Sequence, residues 1–181
     1  VPPRVYFLLF LVIMMSFVQA VDLSTSKSDD PCYKAPSSFD VQEHFQYPAF
    51  TQTSMYNLSI WARENTPQDA LFMLPVQCGN DFRSFGQRSV FADFKYGTMS
   101  TFSVDFTLKW FERIQDLNPE REYSYHTFYQ DIIQDYRALD KERVAYLAEK
   151  YQIDYGVFEK PKHLPYPRVY ENNEYVTYAL Q

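Results

Sequence analysis

The chain has 181 residues, enough for one domain with a substantial core and too few for two ordinary ones. Aromatic residues make up 19% of it, and only 4 Gly stand against 11 Pro, which argues against a glycine-rich cradle for phosphates. A formal net charge of -6 disfavours general affinity for nucleic acid, because phosphate binding needs a positive field.

The sequence opens on Val1, and Arg4 is followed by an apolar run, Val5 to Val18, interrupted by one polar residue, Ser16. Three readings compete. A cleaved signal peptide fits the charge, the apolar length and the small-residue ending at Ala20. A membrane-spanning helix fits at the short end of its range, from Val5 to Val21. A buried core helix fits poorly, since nothing polar marks a solvent face. Val rather than Met at the start favours the last helix of a polytopic protein over a signal peptide or a single anchor. Residues 1–21 are therefore expected to be a transmembrane or signal segment, with the membrane contact in residues 5–21. Residues 22–53 form a linker and covering loop, and residues 54–181 an extracytoplasmic domain, periplasmic or extracellular. The polar, turn-rich stretch Asp22 to Pro36 reads as the linker leaving the membrane. Phe39 to Phe50 is aromatic but aperiodic, and reads as a loop covering the core.

Elements then alternate along the chain. Met55, Leu58 and Ala62 recur at helical spacing, so Ser54 to Glu64 is predicted to be a helix. It stops before Pro67, because the residue before a proline leaves the helical region. Ala70 to Pro75 is a continuous apolar run, the pattern of a buried strand. Gly79 to Gly86 reads as a loop. Arg88 to Lys95 reads as a second strand, with Val90, Ala92 and Phe94 on one face and Ser89, Phe91 and Asp93 on the other.

Three helices are predicted next: Phe106 to Leu117, Tyr125 to Leu139, and Glu142 to Tyr151 with Asp140 as its N-cap. Tyr155 to Glu159, Arg168 to Glu171 and Glu174 to Leu180 read as strands, the last two joined by a turn at Asn172-Asn173. The sum is an α/β unit in two or three layers, a small mixed sheet with helices packed on it. A crossover would place Tyr155 to Glu159 parallel to an earlier strand.

Cys32 and Cys78 could close a long loop worth on the order of 4 kcal/mol in the chain-entropy model; two unpaired buried thiols are the alternative. His44, His126 and His163 fall in three segments without metal-ligand spacing, so no metal or other cofactor is expected. Neither a nucleophile-elbow nor a P-loop motif is present, and no catalytic residue stands out. The strongest local constellation is Arg83, Arg88, Asp93 and Lys95. Two arginines and a lysine around one strand could grip a carboxylate, a phosphate or a lipid-linked pyrophosphate through charge-assisted bonds. An internal salt bridge from Asp93 to one of the arginines is the competing account. The two differ in what Arg88→Ala should do: binding loss with an unchanged melting temperature in the first, unfolding in the second.

The stretch Trp61 to Phe72, with Asn65-Thr66-Pro67 and Asp69-Ala70, resembles the start of the soluble C-terminal domain that follows the last membrane helix of polytopic, glycosyltransferase-like (GT-C type) bacterial proteins. Arg83, Gln87-Arg88-Ser89-Val90 and Asp93-Phe94-Lys95 resemble a later segment of an uncharacterised domain in such proteins. Tyr151 to Val157 and Val169 to Asn172 continue the likeness, which covers about residues 55 to 181. In these glycosyltransferases the catalytic acid lies between membrane helices near the start of the whole protein. The resemblance thus implies an accessory or substrate-contacting domain, with upstream membrane helices and a lipid-linked or anionic ligand as partners, and no catalysis by this segment alone. The alternative is an anchored or secreted binding module for a sugar or an anionic ligand.

Overall fold

The computed structural model describes residues 53–181. The apolar run, the linker, Phe39 to Phe50 and Cys32 lie outside the described residues. Among the described residues no helix is long and apolar enough to cross a membrane.

Helix α1 spans Ser54–Asn65, with the Thr53 side chain accepting from the Tyr56 amide as its cap. It buries the predicted stripe Met55, Leu58 and Ala62. Strand β1 (Leu71–Met73) follows, then α2 (Gly79–Gly86), β2 (Ser89–Val90) and a 3-10 helix over Phe94–Thr101. Helices α3 (Val104–Gln115), α4 (Phe128–Ala138) and α5 (Lys141–Tyr151) come next, and β3 (Tyr155–Glu159), β4 (Arg168–Glu171) and β5 (Tyr175–Ala179) close the domain.

The five strands form one mixed sheet in the order β2-β1-β3-β5-β4. β1 runs parallel to both β2 and β3, the predicted crossover, while β5 is antiparallel to β3 and β4. Neighbouring residues on a strand point to opposite faces, and here both faces are covered. Phe72, Val90, Val157 and Tyr175 pack with α1 and α2 on one side. Met73, Phe158, Val176 and Tyr178 pack with Trp110, Ile114, Ile132, Tyr136 and Leu147 on the other. The fold is α/β in three layers.

Two expectations need correction. Gly79 to Gly86 is a helix, not a loop: Phe82 is buried against Phe72 at a ring separation of 4.9 Å, and Gln87 ends the helix at φ 52°. The strand predicted over Arg88 to Lys95 is confined to Ser89–Val90. β2 lies at the edge of the sheet beside a three-residue neighbour, so ladder partners run out quickly. The Phe91 amide still donates to the Phe72 carbonyl. Helix α3 then takes the carbonyls of the departing segment: Arg113 Nη1 donates to Phe91 O and Trp110 Nε1 to Asp93 O, both at 2.8 Å. Val90, Phe91, Ala92 and Asp93 are consequently all buried, and the expected in-out alternation is lost.

Candidate functional site at the carboxyl ends of the parallel strands

Because β1 and β2 are parallel, the segments leaving them, Leu74 to Gly79 and Phe91 to Asp93, emerge at the same edge of the sheet. In open α/β sheets that edge is the usual place for a ligand. The two segments touch, with the Phe94 amide donating to Val76 O at 2.9 Å. Asp93 sits between them, fully buried. Its Oδ1 accepts from the Lys95 amide at 2.9 Å, capping the 3-10 helix. Its Oδ2 lies 2.7 Å from Arg83 Nη2. Arg83 comes from α2, and its guanidinium also rests 4.1 Å above the Tyr96 ring. Gly79 is required here: a Cβ on it would meet Asp93 Cγ at 2.7 Å.

Burial pushes the Asp93 carboxyl above its ordinary range, against the opposing pull of the Lys95 amide and the Arg83 charge. The site also holds unused hydrogen-bonding capacity. Gln77 Oε1 and Arg83 Nη1 are buried without a hydrogen-bond partner among the described residues. Buried polar atoms are nearly always paired, so the unpaired Arg83 Nη1 beside Asp93 marks a place where a further polar group would be accommodated.

The four residues singled out in the sequence are thereby divided. Arg83 and Asp93 form the ion pair that the competing account foresaw, with Lys95 exposed beside them. Arg88 lies at the opposite end of β2 and serves a different purpose. Its Nη2 donates to Arg63 O and Thr66 O, each at 2.7 Å, its Nε to Thr66 Oγ1 at 3.1 Å, and its Nη1 to Gln87 O at 3.1 Å. A cation among the last carbonyls of α1 satisfies groups the helix cannot bond itself and complements the helix dipole. Tyr96 carried no sequence signal. Gly79, placed shortly after the apolar run of β1, was the nearest clue to a close approach there.

A second buried carboxylate went unremarked in the sequence. Asp135 on α4 receives Asn118 Nδ2 at 2.9 Å, Arg121 Nε at 2.8 Å and Tyr123 Oη at 2.9 Å. Arg121 also pairs with Asp131 at 3.2 Å. Burial and the Asp135 carboxylate push the Tyr123 phenol well up, keeping it a neutral donor. On the outer surface Tyr151 donates to Asp116 at 2.5 Å beside Lys150; burial and that bond push Tyr151 up to about 12. Two shallow depressions, of about 260 and 170 Å³, lie elsewhere, one between α5 and the C-terminus and one beside Leu117, Asp135 and Leu139. Among the described residues no three His, Cys, Asp or Glu gather as metal ligands.

Cys78, at the start of α2, is fully buried and disulfide-bonded, with the Tyr175 hydroxyl 3.9 Å from its sulfur.

Residues 54–117 match a domain of unknown function, DUF6798. The matched 64 residues (54 to 117) of the chain's 181 run from α1 to the end of α3 and contain Arg83, Arg88, Asp93 and Lys95, but not Asp135. No curated protein and no solved structure matches the chain.

Proposed function

We propose that residues 54–181 form an extracytoplasmic accessory domain, tethered to a membrane through residues 5–21, that contacts an anionic group of a substrate without transforming it. Its parent, in this reading, is a polytopic protein of the glycosyltransferase-like kind that uses lipid-linked sugars, and Arg83 with Lys95 meets the phosphate. The observation that carries the reading is the disulfide at Cys78. Protein disulfides persist in oxidising compartments outside the cytoplasm. Cys32 is the other cysteine in the sequence, and the proposal pairs the two. That bond would fasten the linker to the domain beside the Arg83–Asp93 site. Arg83 supports the ligand assignment, since its Nη1 is an unused donor on a planar, permanently charged group suited to phosphate.

Side-specific proteolysis tests the placement. In right-side-out membrane vesicles carrying the full chain, a non-permeant protease should degrade the domain without lysis, and alkaline carbonate should leave it in the pellet. Protection until the vesicles are lysed would contradict the extracytoplasmic assignment. Release by carbonate would favour the secreted binding module instead.

A further inference from the structure

Among the described residues, five of the seven exposed large hydrophobic side chains fall within ten consecutive positions: Met99, Phe102, Val104, Phe106 and Leu108. They surround the junction between the 3-10 helix and α3. Phe102 is 81% exposed and Val104 60%, so they project from the domain rather than line a groove. Their inner side is fixed. A Cβ on Gly97 would strike the Trp110 ring at 2.7 Å, which shows how tightly the 3-10 segment is pressed onto α3. Ser103 caps α3 by accepting from the Phe106 amide, and Thr107, Trp110 and Ile114 occupy the core-facing positions.

We infer that this projecting face inserts into a lipid bilayer surface and holds the carboxyl-end site at headgroup level. The inference rests on the tethered reading above. Concentrated exposed apolar residues mark interaction sites, and three observations select the bilayer as the occupant. The chain outside the described residues contains the apolar run Val5 to Val18, itself suited to lipid. In the pairing of Cys78 with Cys32 proposed above, the 13 residues 19–31 join that run to the disulfide, and at roughly 3.3–3.6 Å each they limit Cys78 to within about 45 Å of it. The face is contiguous with that attachment point: Gly79 abuts Asp93, Asp93 pairs with Arg83, Arg83 covers Tyr96, and Tyr96 meets Phe106 edge-on at 5.4 Å. The exposed lysines Lys95 and Lys109 border the apolar residues, as snorkelling cations do at an interface, and the exposed Asp105 lies on the outer stripe of α3. Seated this way, Arg83 and Lys95 face lipid phosphates, the chemistry assigned to them above.

The experiment uses the full chain bearing Phe102→Trp, reconstituted in phosphatidylcholine vesicles with and without brominated acyl chains, and the wild type as the Trp61 and Trp110 baseline. Flotation of the wild type with the vesicles first establishes the tether; failure to float overturns the tethered reading and this inference with it. Given flotation, the emission added by Phe102→Trp should shift to the blue and lose intensity in brominated lipid, whereas that added by Tyr146→Trp on the outer face of α5 should stay in water and be quenched by iodide. Flotation with the Phe102→Trp emission quenched by iodide and not by bromine would overturn the inference while leaving the tether standing. Protection of the introduced indole from both quenchers, as coverage by Phe39 to Phe50 or by a second copy would give, would overturn it as well.

Discussion

Asp93, the cap of the 3-10 helix, and Asp135, within α4, are both buried carboxylates, yet their surroundings differ in kind. Asp135 is closed in its hydrogen bonds: Asn118, Arg121 and Tyr123 reach it from one loop and stitch that loop to α4, although the residue also borders the shallow depression beside Leu117 and Leu139. Asp93 is open: its contact with Arg83 leaves Nη1 of that arginine unpaired among the described residues. A saturated buried network rigidifies, whereas one with unused capacity is where a ligand group can be received. Burial alone therefore does not mark a functional carboxylate in this domain; the state of its partners does.

The largest effect should come from the closed network. Asp135→Ala removes the acceptor that three donors share, and should cost about 3 kcal/mol in urea unfolding, in line with breaking a buried charge pair. A cost below about 1 kcal/mol, the scale of an exposed pair, would mean that the loop is not stitched as described. Arg88→Ala should come next, at about 2–3 kcal/mol, because several helix-end carbonyls lose a charged donor. Its ligand affinity should be unchanged. Loss of phosphate binding at an intact melting temperature would return Arg88 to the site. Gly79→Ala should cost about 1–3 kcal/mol by forcing Asp93 aside, and should also disturb the Arg83 side-chain resonances; an unshifted Arg83 would show that Asp93 does not position it.

The smallest effect is one of pH. Burial raises the folded Asp93 value above its ordinary one, so the folded state binds the proton more tightly than the unfolded state. Stability linked to Asp93 is then greatest when it is protonated and falls as pH rises from the ordinary carboxyl range through the folded value. The advantage of the wild type over Asp93→Asn should accordingly shrink across that window in urea titrations. An advantage that grows with pH would mean that the pairing with Arg83 outweighs burial.

How much of this was legible in the sequence follows from range. Apolar spacing identified α1, α5 and the strands near the C-terminus, because Met55, Leu58 and Ala62, or Val144, Leu147 and Ala148, announce a buried face locally. Asp140 announced its own cap, accepting from the Arg143 amide. The short reach of β2 was not legible, since it depends on Arg113 and Trp110 arriving from α3. Helix α2 was hidden by the glycines at both of its ends. Within the site, Arg83 and Asp93 were chosen for their charge, and the same criterion swept in Arg88, whose role depends on where α1 ends. The Asp135 network was missed because its donors lie 12 to 17 residues away and carry no motif.

The assignment of Arg83 as the group that receives an anion is tested most directly by titrating inorganic pyrophosphate into the full chain while following arginine Nε–H resonances. The Arg83 resonance should shift and saturate, with Arg88 and Arg121 unmoved, and Arg83→Gln should abolish the response. An unchanged Arg83 resonance, or an equal response from Arg121, would contradict the division between the open and the closed carboxylate.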